Sequence, residues 1–174
     1  MATLTAASPA WRYSMTGRFM AAANVLTAAA AVWKAGCFLR LTSSGTLVLC
    51  TTSAAGSPNK DGITHYSLTD LDTALGVATT YQKVGIVHKD DVYEMNAKSG
   101  TVTGAMIGNS YGLDVGATSP YTCTIDPAAN ATAVLKVVKP VWRERELQDL
   151  EADTLARVLV QVNSTEIDRE KAAA

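Results

Sequence analysis

Short runs in which apolar and polar residues alternate, separated by turn-forming residues, recur along most of this chain. The clearest are residues 37–41, 46–51, 121–125, 131–138 and 155–162. A repeat of two residues is the period of a β-strand with one buried face, and about eight to ten such runs are typical of a sandwich or barrel. Amphipathic helices between the runs, which would indicate a parallel sheet, are absent from the sequence pattern. The sequence therefore predicts an all-β fold with little helix.

Composition limits the kinds of partner. The chain has 174 residues, of which 48% are hydrophobic, 6% aromatic and 18% charged, with a formal net charge of -1. This length suits one domain, or one domain with a small sub-barrel. Without a clustered Lys/Arg footprint we expect no nucleic-acid binding, and without a run of roughly 20 apolar residues we expect no membrane span. Low net charge gives weak self-repulsion, which suits a protein that ends in an assembly.

Residues 1–34 show neither strand alternation nor a clear helical face, although the Ala-rich stretch 21–32 has high helix propensity. Four aromatic residues are too large for a simple linker: Trp11, Tyr13, Phe19 and Trp33. Two interpretations remain open. The segment is an arm packed on its own domain, or it lies on a partner that these aromatic side chains anchor.

The first hairpin is predicted from residues 37–41 and 46–51, which flank Thr-Ser-Ser-Gly. If Ser43 and Ser44 form the centre of the turn, Cys37 faces Cys50. A bulge at Gly45 would shift the register by one residue and move these cysteines apart. Three widely spaced cysteines without a C-x-x-C motif predict neither a disulfide framework nor a zinc site, and buried thiols are expected.

Further along the chain, residues 81–88 form a predicted strand, and residues 91–95 either pair with it or begin the next layer. A strand interrupted by Gly104 is predicted for 101–107, and a second hairpin for 121–125 with 131–138. The charged run 143–153 is interpreted as a solvated loop, with a short exposed helix as the alternative. A closing strand is expected at 155–163, and a frayed tail at 164–174.

One motif resembles a catalytic signature. Gly108-Asn-Ser-Tyr-Gly112 matches G-x-S-x-G, in which a strand before the Ser and a helix after it raise the hydroxyl on a strained turn. The residues up to Pro120 lack a helical period, and both histidines, His65 and His88, precede Ser110. We therefore expect a turn that packs Tyr111 on the core, with no catalytic residues. No metal-ligand spacing, phosphate loop or dinucleotide fingerprint is present, so no metal, cofactor or small-molecule substrate is expected.

Two passages resemble the capsid cement proteins, or head decoration proteins, of tailed bacteriophages. Residues 34–49 (KAGCFLRLTSSGTLVL) match an apolar hairpin of the form AG-x-φ-φ-φ-x-x-x-G-x-φ-φ. Residues 63–74 (ITHYSLTDLDTA) then resemble a strand that ends in an acidic D-x-x-A-G turn. Residues 70–75 occupy the place of this turn, with Leu75 as a departure before Gly76. Residues 91–95 and 105–113 (AMIGNSYGL) resemble a passage that recurs in phage virion proteins, a strand followed by IG-x-x-Y-x-L. Residues 156–162 would be the terminal strand. The resemblance covers about residues 34–162.

This resemblance implies a tulip-like or β-barrel domain with a second small barrel or sandwich and an extended N-terminal arm. It divides the chain into an arm (1–34), a tulip-like domain (35–95, completed by strand 155–163) and a small barrel or hairpin subdomain (96–140). It also implies that the protein, made in the host cytoplasm, binds the major capsid protein on the outer surface of the virion, as a homotrimer at local three-fold positions. By analogy, Trp11, Arg12, Tyr13 and Phe19 would belong to a capsid-binding arm that adds a strand to a capsid loop.

Three alternatives remain open: another virion component, such as a tail-tube or head-completion subunit; a small serine hydrolase that uses Ser110; and a secreted β-sandwich lectin or adhesin. The first alternative is closest to the resemblance.

Overall fold

The protein is described by a computed structural model that covers residues 9–42, 44–50, 63–72, 80–98, 102–115, 123–128, 133–141 and 156–163. The predicted charged loop 143–153 and tail 164–174 lie outside these residues. Within them the structure is mainly β, which confirms the predicted fold class. The strands are β1 (Ala10–Ser14), β2 (Ala22–Leu26), β3 (Val32–Trp33), β4 (Phe38–Leu41), β5 (Leu47–Leu49), β6 (His65–Ser67), β7 (Leu71–Asp72), β8 (Tyr81–Ile86), β9 (Asp91–Asn96), β10 (Ser110–Val115), β11 (Cys123–Asp126), β12 (Ala133–Pro140) and β13 (Arg157–Val162).

Six strands form one antiparallel sheet in the order β1-β9-β13-β12-β10-β11. This sheet curls, so that β11 returns to the end of β9. Ala97 and Ile125 form a parallel bridge, and the backbone N–H of Lys98 donates to the Ile125 carbonyl at 2.8 Å. Strand β1 pairs with the edge of β9 just before this bridge.

Five strands form the second sheet in the order β2-β8-β6-β4-β5, and β3 pairs with β7 in a short ribbon. This sheet also curls. Thr27 after β2 forms a parallel bridge with Leu47 in β5, and the N–H of Ala28 donates to the Leu47 carbonyl at 2.9 Å. Neither large sheet is closed by a continuous ladder of hydrogen bonds. In each sheet, however, the last strand meets an earlier part of the same sheet at a single bridge.

The two sheets share one core. Phe38 in β4 and Tyr66 in β6 face Tyr93 in β9 across the interface, with ring centroids 5.0 Å and 5.1 Å from Tyr93. The Phe38 ring meets Tyr93 edge to face, an arrangement that contributes about 0.5–1.5 kcal/mol beyond the buried area. Strands β10 to β12, from the predicted subdomain 96–140, lie in the same sheet as β1, β9 and β13. The division into subdomains stays a prediction.

The first hairpin adopts the shifted register. Leu39 pairs with Leu49 and Leu41 with Leu47, and Gly45 has φ +75° in the turn. The bulge alternative is therefore the observed one, and Phe38, not Cys37, lies opposite Cys50. A left-handed backbone at the Gly in this position is what a bulged three-residue hairpin loop requires.

Other local predictions are corrected. Strands β11 and β12 do not pair as a hairpin, because β10 lies between them and pairs with both. Strand β9 begins the other sheet and does not pair with β8, which is the second of the two alternatives given for residues 91–95. Residues Gly104–Met106 form a single 3-10 turn where a strand was predicted, and the Ala-rich stretch contains strand β2 where helix propensity is high.

Candidate functional site

The residues predicted to bind a partner lie in the N-terminal segment, residues 9–20, which runs across the edges of both large sheets. Strand β1 is the terminal strand of the six-stranded sheet and pairs with β9, with a bulge between Trp11 and Tyr13. Strand β2 follows as the terminal strand of the five-stranded sheet. The segment is therefore packed on its own domain, as the first of the two interpretations proposed.

A buried carboxylate holds β1 on the sheet. Glu94 in β9 is 3% exposed. Arg12 Nε donates to Glu94 Oε2 at 2.6 Å, and Arg157 Nε in β13 lies 2.8 Å from Glu94 Oε1. Burying a carboxylate requires such compensation, because its desolvation costs several kcal/mol. Arg12 is thus part of an ion-pair triad within the molecule.

A second set of polar contacts fixes the turn after β1. Asp91 is fully buried, and Arg18 Nη2 donates to its Oδ1 at 3.1 Å. Thr16 Oγ1 donates to Asp90 Oδ2 at 2.6 Å, and this hydrogen bond lowers the pKa of Asp90. Charged groups at the β8–β9 turn therefore hold the segment at its C-terminal half.

The rest of the segment contacts Tyr66, Gly36 and Gly85. The Tyr66 hydroxyl donates to the Pro9 carbonyl at 2.7 Å and accepts the Trp11 N–H at 3.2 Å, and burial raises the pKa of Tyr66 to about 12. The Pro9 carbonyl lies directly against Gly36, which has φ +92°. The Met20 side chain lies over Gly85, where a Cβ would overlap its sulfur.

Three large apolar side chains of the same segment are exposed, beside the exposed polar residues Arg12 and Thr16. Tyr13 is 42% exposed, Met15 64% and Phe19 89%. Of the four predicted partner-binding residues, Trp11 packs against the core and Arg12 pairs with Glu94, whereas Tyr13 and Phe19 are available to a partner. Met15, which the sequence analysis did not name, is exposed in the same segment, and its sulfur accepts a hydrogen bond from Gln161 Nε2 at 3.0 Å.

An open groove of about 380 Å³ lies beside the segment, between its first residues and strand β6. The Tyr66 hydroxyl is bonded to Pro9 and Trp11, and the Ser67 hydroxyl to the Lys34 carbonyl at 2.8 Å. The buried Nε1 of Trp11 has no hydrogen-bond partner among the residues that the structure describes. The groove is lined by Pro9, Ala10, Trp11, Met20, Ala35, Gly36, Tyr66, Ser67 and Leu68. The lining of the groove is therefore largely apolar.

The G-x-S-x-G motif has the reverse of the hydrolase geometry. A 3-10 turn precedes Ser110 and strand β10 follows it, so the Ser does not sit on a strand-to-helix turn. The Ser110 hydroxyl accepts a hydrogen bond from Asn163 Nδ2 at 3.2 Å. Gly108 has φ +82° in the turn, and Tyr111 packs against the core, as predicted.

The histidines lie elsewhere. His65 is in β6 of the other sheet, with its Nδ1 2.7 Å from the Thr64 hydroxyl, and burial lowers the pKa of His65. His88 is in the turn before β9, where its backbone N–H donates to Asp91 Oδ2 at 3.0 Å. Among the residues that the structure describes, no group of three or more His, Cys, Asp or Glu side chains is placed to hold a metal ion. The described ranges also contain no helix with the length and apolar character that crossing a bilayer requires.

Comparison of the chain with protein families, curated proteins and solved structures finds no match.

Proposed function

We propose that this protein is a capsid decoration protein that binds the outer surface of a bacteriophage major capsid protein lattice and stabilises the mature head. The proposal combines the sequence resemblance with the all-β fold. The observation that carries it is the exposure of three large apolar side chains, Tyr13, Met15 and Phe19, on and beside a terminal strand. Buried aromatic and apolar anchors are the usual source of binding energy at an interface.

The inner contacts of the segment prepare its outer face for binding. Arg12 and Arg18 are held by the buried carboxylates of Glu94 and Asp91, so the backbone that carries the exposed side chains is already ordered. A surface ordered before binding loses less conformational entropy when the partner arrives. Terminal strand β1 also suits addition of a capsid strand, and weak contacts would be multiplied over the repeated lattice.

Because of these ion pairs, a truncation of the N-terminal segment is not a suitable test of capsid binding. Removing residues 1–19 would take away both arginines and leave Glu94 and Asp91 buried without them, so a truncation would confuse misfolding with lost binding. Single changes on the outer face are cleaner. We expect the Phe19→Ser and Met15→Ser double variant to fold normally and to bind capsids at least about tenfold more weakly, because apolar anchors are lost.

The measurement is co-sedimentation of the purified protein with capsids of its own virus that lack it. The matched control is Tyr81→Ser, since Tyr81 is another aromatic residue, 73% exposed, at the far end of β8. Full binding by the double variant would exclude this face as the contact. A wild-type protein that stays in the supernatant, or that immunogold labelling places on tails, would overturn the decoration function itself.

A further inference from the structure

The six-stranded sheet has one face that points away from the core. Tyr93 of β9 is opposite Val160 of β13, and both lie in the core cluster. Side chains alternate between the two faces along a strand, and residues opposite each other in an antiparallel pair share a face. Leu159, which is opposite Glu94, therefore points outward, and it lies outside the core cluster although it is buried.

A group of basic residues from three separate parts of the sequence lies on this outward face. We call it the basic face, and its members are Arg12, Lys136, Lys139 and Arg157. In β12, Lys139 is opposite Leu159, and Lys136 is opposite Gln161 two residues further along β13. Arg157 precedes them in β13, and Arg12 reaches Glu94 from the bulge in β1. Because neighbouring strands are about 4.8 Å apart, the basic face spans roughly 14 Å from β1 to β12.

Little negative charge offsets these cations. Strands β1, β9, β12 and β13 contain two acidic residues, Asp91 and Glu94, and both are buried. Asp91 is bound by Arg18, which lies outside these strands, so only Glu94 compensates the basic face. Four cations against one carboxylate leave three positive charges in excess, although the whole chain has a formal net charge of -1. Lys136 and Lys139 are both exposed.

The basic face is continuous with the exposed apolar side chains of the N-terminal segment. Tyr13 is opposite Val92, in the same cross-strand row as Gln161 and Lys136. Gln161 Nε2 also donates to the Met15 sulfur at 3.0 Å. Exposed apolar side chains therefore border directly on exposed cations, and aromatic, Met and Arg side chains are the residues enriched where proteins bind one another.

We propose that the basic face is a second part of the capsid-binding surface and that it binds an acidic patch on the partner protein. This inference rests on the proposed function, which supplies the partner, and it adds the chemistry of the partner's surface. Complementary charge is required because like charges brought together at an interface weaken binding. A protein partner is favoured over nucleic acid, because Glu94 already holds Arg12 and Arg157, and phosphates are bound by free Lys and Arg side chains.

The test reverses exposed charges of the full-length protein one at a time, with Lys136→Glu and Lys139→Glu. The matched control is Lys83→Glu, since Lys83 is an exposed lysine in β8 of the other sheet. Co-sedimentation with capsids of its own virus that lack the protein is measured at several NaCl concentrations. We expect Lys136→Glu and Lys139→Glu to bind at least about tenfold more weakly at low salt, and Lys83→Glu to bind like the wild type. Wild-type binding should weaken as NaCl rises from about 50 to about 500 mM, and the two variants should show a smaller salt dependence.

A second measurement does not need the virus. On a sulfonate cation-exchange resin at pH 7, Lys136→Glu and Lys139→Glu should elute at lower salt than Lys83→Glu, because only the basic face concentrates positive charge. All three variants carry the same net charge, so a difference in elution reports where the charge lies. Melting temperatures close to that of the wild type would show that the variants fold.

The outcomes separate this inference from the proposed function. A wild-type protein that does not bind capsids would overturn both. Capsid binding that the Phe19→Ser and Met15→Ser double variant weakens, but that neither salt nor the two lysine variants change, would overturn this inference alone. Equal elution of the three lysine variants would also contradict it. Binding to double-stranded DNA as tight as binding to capsids would assign the basic face to nucleic acid, and a dimer in solution that Lys136→Glu dissociates would assign it to a second copy; either result would overturn the acidic protein partner.

Discussion

The backbone of Gly36 has φ +92°, and a Cβ on this residue would overlap the carbonyl oxygen of Pro9. Two requirements therefore coincide at one position: a left-handed backbone and the absence of a side chain where the N-terminal segment approaches. Gly45 meets only the first, because at φ +75° a Cβ there would contact nothing within 4 Å. Substitutions at Gly36 and Gly45 can therefore distinguish the cost of backbone strain from the cost of steric overlap.

We expect Gly36→Ala to lower the free energy of unfolding by about 3 kcal/mol, of which backbone strain contributes about 1 and overlap with Pro9 the rest. Gly45→Ala should cost only the strain, about 1 kcal/mol. Urea unfolding of both variants measures the difference. Equal costs for the two substitutions would show that Pro9 does not press on Gly36 in solution.

Some of these residue roles could be predicted from the sequence and others could not. The role of Gly45 was anticipated as one of two alternatives, since Thr-Ser-Ser-Gly between alternating runs is local turn chemistry. The roles of Gly36 and Glu94 were not, because their partners Pro9 and Arg12 are distant in sequence and no local pattern links them.

At the scale of elements, β1 depends on charge as much as on its backbone ladder. Strand β9 supplies Glu94 to Arg12 of β1 on one side and to Arg157 of β13 on the other. A neutral side chain at position 94 would leave two guanidinium groups against each other in a partly buried site. The attachment of the N-terminal segment is therefore sensitive to a single carboxylate.

We expect Glu94→Gln to lower the free energy of unfolding by about 3 kcal/mol, as when one partner of a buried ion pair is removed. Amide hydrogen exchange in β1 should accelerate more than exchange in β12. The control is Lys34→Gln, which removes an exposed ion pair with Asp70 at 2.8 Å and should change stability little. Unchanged exchange in β1 after Glu94→Gln would contradict the role given to the triad.

Strands with strong alternation were predicted well, and the remainder were not. Strand β13 was expected from its alternating valines, and β8 from residues 81–88. Strands β1 and β2 were missed because their sequences, AWRYS and AANVL, carry no alternation, and pairing with β9 and β8 overrides their propensity. The predicted hairpin of β11 with β12 failed because a turn signal shows that the chain reverses but not that another strand, β10, takes the place between them.

At the scale of the whole molecule, the buried His65 connects stability to pH. Burial lowers the pKa of His65 below its ordinary value of 6.5, so the unfolded chain binds a proton more readily than the folded protein. The stability that depends on a neutral His65 is therefore fully present above pH 6.5, and it is lost as the pH falls below that value. The shifted carboxylates Asp70 and Asp90 act at lower pH, since each has a pKa below 3.8.

We expect the melting temperature to fall between pH 7 and pH 5, and this slope to flatten in His65→Gln. His88→Gln, the matched change at the other histidine, should keep the slope. Thermal unfolding followed by circular dichroism over this range provides the measurement. A slope that persists in His65→Gln and disappears in His88→Gln would contradict this prediction, because the effect would then come from His88.

The fold class was predictable from the sequence because a two-residue period sums over many segments. The sheet order was not, because β1 joins strands from the far end of the chain. The proposed partner surface was half predictable: aromatic side chains in residues 11–19 were recognised, but which of them faces outward depends on the bulge between Trp11 and Tyr13.

Because each large sheet curls until its last strand meets an earlier one, the bare peptide edges that make β proteins stick to one another are partly covered by the molecule itself. Strand β1 stands outside the bridge that β11 makes with β9. Copies crowded side by side would then have little tendency to fuse into fibres through those covered edges. Contact with other molecules would then occur at the β1 edge, which ion pairs hold on the sheet.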